Sequence, residues 1–439
     1  MINFHINKIF FILFLFTSSI VAYAQDTTRL SLLFLGDIMQ HGSSITAAFD
    51  PTLKKYNYDP CFQFIKPYIQ SADLSIANLE VTLAGKPYSG YPQFSAPDEL
   101  LVTLKDAGLD VLVTANNHCV DKGKKGLERT IAMLDSFNIP HTGTFVDETN
   151  RLNDYPLLVE KNGFKIALLN YTFSTNGLPV TKPNIVNRID TAAIHKDLIK
   201  AKTYHADAII VFTHWGIEYQ SLPSPEQKRI TEFCFNLGAD LVIGAHPHVI
   251  QPMEWRKDSD KLVAYSLGNF VSGQRKRYTD GGAMLSVELQ KISYTPDSTV
   301  TDIHDAGYML QWIYKTADSN KDYYILPVQD FEKDTLGFIK DNTSRLSLKT
   351  FGKDSRTLFT TYNKNIGERK VILSSTQYFV VIAGVDSLDG KYGKEEVTTD
   401  SDGVKQVLIG PFATKDDAAE VVTTLKLIYP DKVFQIIIR

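Results

Sequence analysis

Between residues 29 and 290, apolar runs alternate with amphipathic stretches along the chain. The apolar runs are rich in Val, Ile, Leu and Ala, which is typical of strands covered on both faces. They predict strands at 30–37, 72–80, 109–118, 164–172, 206–214, 239–247 and 261–270. Helices are predicted between them, for instance at 124–137, 191–203 and 224–237. Regular alternation of strands and helices predicts an α/β fold.

Polar residues cluster where the predicted strands end. These endings are Gly36-Asp37, Asn78-Leu79-Glu80, Asn116-Asn117-His118, His214-Trp215-Gly216, Gly244-Ala245-His246-Pro247-His248 and Ser266-Leu267-Gly268-Asn269-Phe270. In open α/β sheets, binding sites form outside the carboxyl ends of the strands. One buried histidine is more often structural than functional, but this whole series of endings predicts a single site. Histidine is also the commonest metal ligand.

The order of these motifs resembles one known family. GD-x-M, NLE, NNH-xx-D-x-G, HWG-x-E, G-x-HPH and SLGNF are similar to the motifs of the CapA family, the poly-γ-glutamate capsule synthesis proteins. That family is related to the calcineurin-like metallophosphoesterases. The resemblance covers residues 29–315 and implies a metallophosphatase-like α/β/β/α sandwich with a metal-binding edge.

Matching the motifs gives the polar residues implied roles. The implied metal ligands are Asp37, Glu80, Asn117, His214, His246 and His248. His118 is the implied general acid or charge-stabilising group. One or two divalent ions, Mn, Zn or Fe, are implied as cofactors, because such ions suit mixed imidazole, carboxylate and carbonyl ligands.

The chain departs from the wider superfamily at its first motif. That superfamily opens with Asp-x-His, whereas Ile38 and Met39 follow Asp37 here, and the nearest histidine is His41. Either His41 substitutes by another route or the first metal is weakly held. Asn78 or Glu80 then has to serve as the bridging ligand. A site that keeps this architecture with one metal, or none, is the alternative.

Further residues are candidates for catalysis and substrate binding. Glu218 either orients an imidazole, assists proton transfer or points to solvent. The segment 271–282 carries Arg275 and Arg277; it is either a solvated loop or a binding element for an anionic polymer, because arginine recognises carboxylate and phosphate groups. The remaining candidate substrate-binding residues are Asn78, Asn116 and Asn269.

Composition narrows the class of protein and its location. The 439 residues carry a formal net charge of −4, which indicates no nucleic-acid partner. Three widely spaced cysteines predict no disulfide framework. Residues 1–24 have an apolar stretch followed by Ala22-Tyr23-Ala24, which predicts a cleaved signal peptide, with an uncleaved anchor as the alternative. We therefore expect secretion across the inner membrane to the periplasm or cell envelope.

The last part of the chain has a different pattern. Residues 316–370 predict a helical extension packing on the main domain, with one or two amphipathic helices over 343–366. Residues 371–439 predict a small α+β domain: a strand at 377–385, then strand, helix and strand over 405–439. This part resembles a SPOR-type domain through Gly410, Pro411, Phe412, Ala418 and Ala419. The resemblance implies peptidoglycan binding; an appendage without a ligand is the alternative.

Three functions remain compatible with the sequence. The first is a secreted, metal-dependent hydrolase or transferase acting on an anionic envelope polymer such as poly-γ-glutamate. The second is a capsule assembly or binding protein without turnover. The third is a metal-dependent phosphoesterase. Metal content and turnover distinguish the first from the second, and the preferred substrate class distinguishes the first from the third.

Overall fold

The computed structural model describes residues 26–295, 298–317, 322–333, 337–371, 378–385, 388, 395–399, 405–412 and 415–438. The strands are β1 (Asp26–Ile38), β2 (Phe49–Asp50), β3 (Lys55–Tyr56), β4 (Leu74–Leu79), β5 (Val111–Val113), β6 (His141–Thr142), β7 (Thr144–Phe145), β8 (Leu157–Lys161), β9 (Phe164–Thr172), β10 (Ile185–Val186), β11 (Ala208–His214), β12 (Leu241–Ala245), β13 (Ile250–Arg256), β14 (Lys261–Leu267), β15 (Asn269–Val271), β16 (Gly281–Thr295), β17 (Ser298–Lys315), β18 (Tyr323–Pro327), β19 (Gly367–Glu368), β20 (Tyr378–Ala383), β21 (Glu395–Thr399), β22 (Lys405–Phe412) and β23 (Phe434–Ile438). The helices are α1 (Gly42–Ala48), α2 (Asp59–Phe62), α3 (Lys66–Ile69), α4 (Glu99–Asp106), α5 (Gly123–Ser136), α6 (Glu148–Asp154), α7 (Thr191–Thr203), α8 (Pro225–Asn236), α9 (Val328–Phe331), α10 (Asn342–Tyr362) and α11 (Lys415–Ile428). The strands and helices predicted up to residue 270 are confirmed, with β5 shorter than expected.

The first sheet is built around β1, which is apolar on both faces. In the described residues its main order is β18-β17-β16-β1-β4-β5-β6, with β15 paired to β1 and β19 to β17. Strand β1 runs antiparallel to β16 and parallel to β4. Leu32 and Phe34 face one core, while Leu33 and Leu35 face another. The alternation of side chains along a strand explains these two apolar rows.

The second sheet packs against the first through the core that contains Leu32 and Phe34. Its order is β13-β14-β12-β11-β9-β8, and β9, β11, β12 and β14 are parallel. Ile210 and Phe212 of β11 face the shared core, whereas Val211 faces an outer core that includes residues of α7 and α8. Helix α4 covers the outer face of the first sheet. These layers form the α/β/β/α sandwich that the resemblance implies.

Residues after 315 also take part in this sandwich. Strand β18 pairs with β17 at the edge of the first sheet. Its Leu326 side chain is buried in the core between the sheets, and its Ile325 side chain is buried in the core on the other face. Helix α10 contributes Leu348, Phe351 and Phe359 to the core between the sheets. The segment predicted as a helical extension therefore contains one long helix together with an edge strand of the main sheet.

Residues 378–438 form a smaller α+β unit with a core of its own. Its described strands make an antiparallel sheet of order β21-β22-β20-β23, which α11 contacts. Val380, Ile382, Val407, Ile409 and Leu425 are buried in its core. The strand, helix and strand predicted over 405–439 are present as β22, α11 and β23. The SPOR-like identity of this unit stays a prediction.

Two further features concern the cysteines and the membrane. Cys61, Cys119 and Cys234 are free and buried. Among the described residues, no helix has both the length and the apolar composition that crossing a membrane requires. The predicted signal peptide, residues 1–24, lies outside the described residues.

Candidate metal centre

The carboxyl ends of strands from both sheets meet at one edge of the sandwich. Asp37, near the end of β1, lies in register with Asn78 of β4 and Asn269 of β15. The backbone N–H of Asp37 donates to the carbonyl of Gly268 at 3.0 Å. Its carboxylate accepts the backbone N–H of His246, just after β12, at 3.3 Å. These contacts join the two sheets where the predicted site residues converge.

Glu80 occupies the centre of this convergence. Its side chain is fully buried, and among the described residues neither carboxylate oxygen forms a hydrogen bond. The Oε1 atom lies 3.5 Å from Nε2 of His214 and 4.0 Å from Nε2 of His248. Burial, and then the neighbouring charge of Asp37, raise the pKa of Glu80 well above its usual range. The raised pKa favours the neutral carboxyl, and a cation bound beside it would favour the ionised form.

Two groups of ligand atoms share Glu80. One consists of Glu80, His246 and His248, and the other of Asp37, Glu80 and His214; within each group the ligand atoms lie within 4.8 Å of one another. Such a shared carboxylate is suited to one ion or to two adjacent ions. All the implied ligands other than Asn117 therefore belong to these two groups. Their closeness agrees with the prediction that the strand endings meet at a single site.

Two imidazoles of the centre, those of His214 and His246, have lowered pKa values. Burial, followed by the proximity of other histidines, lowers the pKa of His214 well below its usual value and that of His246 to about 3. Both rings are therefore neutral at pH 7, as a ligand nitrogen must be. Among the described residues, the buried Nδ1 of His246 has no hydrogen-bond partner. This nitrogen and both oxygens of Glu80 are the unsatisfied atoms that a divalent ion fits.

Asn117 and Asn78 flank His214 on its two ring nitrogens. The amide oxygen of Asn117 lies 2.8 Å from Nε2 of His214, which places Asn117 beside the ligand groups. The amide nitrogen of Asn78 donates to Oδ1 of Asp37 at 2.8 Å and lies 3.2 Å from Nδ1 of His214. Asn78 thus orients a carboxylate and an imidazole together.

The backbone of the HPH segment is strained. His246 and His248 have positive φ angles of 97° and 59°, and Tyr219 has a φ of 67°. Non-glycine residues rarely adopt this region, and such strain is concentrated at functional sites. The backbone N–H of Tyr219 donates to the carbonyl of Pro247 at 2.8 Å, so the loop after β11 holds the segment between the two histidines in place.

His118 lies beside the ligand groups in a pair with Asp121. Its Nδ1 is 2.8 Å from Oδ2 of Asp121, which also accepts the backbone N–H of Phe94 at 2.7 Å. The ring of Phe94 contacts the His118 ring edge-on, with 4.6 Å between the ring centres. These contacts fix the imidazole and leave Nε2 as its second functional nitrogen. Asp121 was not predicted as a site residue, and its position three residues after His118 is the feature of the sequence that indicates this pair.

The asparagines predicted to bind substrate are all fully buried. Asn116 donates to the carbonyl of Leu79 at 2.8 Å and accepts the backbone N–H of His118 at 3.1 Å. Asn269 places Oδ1 3.1 Å from Nδ1 of His248. The amides of Asn78, Asn116 and Asn269 contact and orient protein groups, and substrate binding by these residues stays a prediction.

His41 contributes to neither ligand group. Its Nδ1 accepts the backbone N–H of Gly273 at 3.1 Å, and its ring packs edge-on against Phe94. Burial lowers the pKa of His41 to about 4. Met39 is buried. In the described part of the chain, no other histidine joins the groups in place of the missing Asp-x-His histidine.

The charged candidate residues at the rim have different surroundings from one another. Arg277 forms an ion pair with Asp354 of α10. The Arg275 guanidinium lies 5.0 Å from the ring centre of Tyr323. Glu218 is exposed, and its charge adds to the effects that raise the pKa of Glu80. Arg277 is therefore directed to a helix, whereas Glu218 lies close enough to the centre to act on it electrostatically.

The fold is an α/β/β/α sandwich that carries two groups of candidate metal ligands at one edge, and comparison with known proteins identifies its family. The chain belongs to the family described as bacterial capsule synthesis protein PGA_cap, whose model matches residues 31–274. It is 29% identical over 282 residues to the capsule biosynthesis protein CapA of Bacillus anthracis, covering 61% of this chain and 65% of that protein. It is 28% identical over 303 residues to the PGA biosynthesis protein CapA of Bacillus subtilis, covering 66% and 75% respectively.

Solved structures with a similar arrangement include nucleotidases. The NAD nucleotidase of Haemophilus influenzae has a TM-score of 0.41 at 13% identity, covering 81% of this chain and 78% of that one. A putative 5′-nucleotidase from Staphylococcus aureus has a TM-score of 0.42 at 16% identity, covering 74% and 58% respectively.

Proposed function

We propose that the protein binds one or two divalent ions at this edge and catalyses hydrolysis or group transfer on an anionic cell-envelope polymer. The observation that carries the proposal is Glu80. A fully buried carboxylate with neither oxygen hydrogen bonded among the described residues, at the point shared by two ligand groups, is a costly arrangement without a cation.

The residues suited to hold the ion are Asp37, Glu80, His214, His246 and His248, with Asn117 beside them. This mixture of carboxylate, imidazole and amide groups fits Zn, Mn or Fe. A bound ion would supply Lewis acidity toward a carbonyl or phosphoryl oxygen of the substrate.

His118 is the proton-transfer group of the proposal. Asp121 fixes the ring through Nδ1 at 2.8 Å, so the ring presents Nε2 toward a leaving group at the centre. Proton donation to that group by a positioned imidazole assists bond cleavage. Glu218 is a second proton-transfer candidate at the exposed rim.

Family membership supports the proposed substrate class. The names of the two relatives refer to capsule and to PGA biosynthesis, and poly-γ-glutamate is an anionic polymer. The apolar N-terminal segment with Ala22-Tyr23-Ala24 supports export to the periplasm or cell envelope, where such a polymer would be met.

The test combines metal content with turnover. Protein purified without chelators is analysed for Zn, Mn and Fe, then assayed on γ-glutamyl amides and on phosphoesters. We expect stoichiometric metal and turnover of γ-glutamyl amides, and loss of both in a His246→Ala/His248→Ala variant. Metal without turnover on either substrate class would support a capsule assembly protein instead. Preference for phosphoesters would support a phosphoesterase.

A further inference from the structure

Two loops meet beside the candidate metal ligand His248, and hydrogen bonds connect each loop to this residue or to its neighbour Pro247. The first loop follows β11 and contains Tyr219, whose N–H donates to the carbonyl of Pro247 at 2.8 Å. The Tyr219 ring lies 6.2 Å from the His248 ring, measured between ring centres. Its positive φ of 67° is a strained conformation that the surrounding structure has to maintain.

The second loop follows β15 and contains Lys276. The carbonyl of Lys276 accepts both the N–H and the hydroxyl of Thr279, at 3.0 and 2.7 Å. The carbonyl of Thr279 accepts the amide of Asn269 at 2.8 Å, and Asn269 contacts His248 through its Oδ1 at 3.1 Å. A short series of hydrogen bonds therefore fixes the backbone of Lys276 relative to His248.

The two loops bring an ammonium group onto an aromatic ring beside the centre. The Nζ atom of Lys276 lies 4.0 Å from the centre of the Tyr219 ring, which is within the range of a cation–π contact. This contact occupies one side of the ammonium and leaves N–H donors for an anion. Among the described residues, Lys276 has no ion pair with a carboxylate, whereas Arg277 is paired with Asp354.

We propose that Lys276, held on the Tyr219 ring, binds the anionic oxygens of the substrate, carboxylate or phosphate, next to the metal centre. The inference rests on the proposed function and specifies how that site selects an anionic substrate. In this proposal the anion is bound by Lys276, whose backbone is connected to His248 by hydrogen bonds, and not by Arg277, which was one of the candidates from the sequence. Lys276 is a substrate-binding residue, and Tyr219 is its positioning residue.

The test measures binding, so that it is separate from turnover. Titration calorimetry at low salt follows binding of a γ-glutamyl pentamer, of inorganic phosphate and of the pentamer with amidated carboxylates, to the metal-loaded full chain. We expect Lys276→Gln to raise the Kd of the anionic probe about 10-fold or more, as loss of a hydrogen bond to a charged group does. The amidated pentamer should bind both proteins equally. Metal content should not change.

The chain offers a matched control. Lys257 also lies on an aromatic ring, 4.5 Å from that of Trp255, but in the turn between β13 and β14 (Ile250–Arg256 and Lys261–Leu267). Lys257→Gln should bind the probes as the parent does, and Lys276→Arg should retain most of the affinity. The probe that responds to Lys276→Gln identifies the anion as carboxylate or phosphate.

The outcomes separate this inference from the proposed function. Equal Kd values for the parent and Lys276→Gln with both anionic probes would overturn the inference, and so would a parent that binds neither probe. Either result leaves the metal content and turnover of the parent as independent measures of the proposed function. Conversely, a Lys276-dependent Kd in a protein without turnover would retain the inference and reject catalysis.

Discussion

Glu80 brings a carboxylate into a fully buried position between His214 and His248, at distances of 3.5 and 4.0 Å that exceed those of good hydrogen bonds. Burial lowers the pKa values of two imidazoles of the ligand groups, His214 and His246, so at pH 7 these two rings do not supply a compensating charge. At the scale of single residues, the site is therefore arranged around a positive charge that a divalent ion can provide.

Replacement of Glu80 by glutamine tests this requirement. Glu80→Gln keeps the shape of the side chain and removes its charge, so the metal content of the purified protein should fall. Mutation of a residue that only hydrogen-bonds a metal ligand lowers metal affinity by roughly 10–100-fold, and we expect a larger loss of affinity here because Glu80 is itself a candidate ligand. In EDTA, the free energy of unfolding should instead exceed that of the parent by at least about 1 kcal/mol, because burial raises the pKa of Glu80, and folding without metal therefore carries a cost for this carboxyl group at pH 7 that glutamine does not have. Metal analysis and urea denaturation measure the two effects.

Glu226→Gln is the control for this variant. Glu226 is an exposed residue of α8 that pairs with Arg229 at 2.7 Å, so its replacement should change stability by no more than about 0.5 kcal/mol. A Glu80→Gln protein that retains its metal, or that is less stable than the parent in EDTA, would contradict the bridging role of Glu80.

His118 gives a prediction of the opposite kind. It lies outside the two ligand groups and is held by Asp121 at 2.8 Å. His118→Ala should therefore keep the metal and lower kcat by about 10²–10⁴-fold, the usual contribution of a general acid. Asp121→Asn should lower kcat less, because the ring remains. Full turnover by His118→Ala would remove the proton-transfer role.

At the scale of elements, the strands that the sequence predicted well are those buried on both faces. β9 was predicted at 164–172 and is found there, because its side chains are almost all buried. β16 and β17 were not predicted, although they pair over most of their length. Their first or last residues extend into solvent, for example Val300, which is half exposed, so the apolar pattern is interrupted. Only the pairing of β16 with β1, and of β17 with β16, reveals their place in the sheet.

The candidate site shows the same division between local and long-range information. Motif order identified Asp37, Glu80 and the histidines, which the structure brings together. The roles of the rim residues depended on contacts between segments distant in sequence, such as Arg277 with Asp354 of α10 and Lys276 with Tyr219. Residue type alone does not specify such partners.

The approach of β1 to the second sheet depends on one glycine. A Cβ atom on Gly36 would lie 1.9 Å from the carbonyl oxygen of Gly268, and the next residue, Asp37, donates its N–H to that same oxygen. Gly36→Ala should therefore displace Asp37 and lower the free energy of unfolding. Overpacking typically costs about 1–3 kcal/mol, and we expect a loss at the upper end of this range or above it. Urea denaturation and metal analysis would show both effects.

Gly42→Ala provides the comparison at the start of α1. A Cβ at Gly42 meets no atom within 4 Å, and alanine favours a helix over glycine by roughly 1 kcal/mol. This variant should retain metal and stability. Similar stability of the Gly36 and Gly42 variants would mean that the close backbone contact at Gly268 is not maintained.

At the scale of the whole molecule, the sandwich extends to about residue 371 and the last unit has a separate core. Arg369 donates its N–H to the carbonyl of Tyr308 at 2.7 Å, and Val371 exchanges hydrogen bonds with the side chain of Gln329. The core of the last unit consists of residues between 380 and 436. The sequence placed this division at 370 and predicted helical structure that packs on the main domain, as α10 does, but it did not reveal the edge strand β18.

Removal of the last unit tests this division. A chain ending at residue 372 keeps the hydrogen bonds of Arg369 and Val371 and all residues of the ligand groups, so it should be soluble, bind the same amount of metal and show an unfolding transition close to that of the full chain. A chain ending at residue 340 is the control. It loses Leu348, Phe351 and Phe359 of α10 from the core between the sheets, and loss of a buried Phe side chain alone costs about 3–5 kcal/mol.

The same shorter chain tests the proposed role of the last unit. If the SPOR-like resemblance reflects function, the full chain should sediment with purified peptidoglycan and the chain ending at residue 372 should remain in the supernatant, because the sheet of β20–β23 with α11 is removed. Equal sedimentation of both chains would assign any wall binding to the sandwich. Insolubility or metal loss in the chain ending at 372 would instead show that the two cores depend on each other, against the independent hydrophobic clusters seen in the structure.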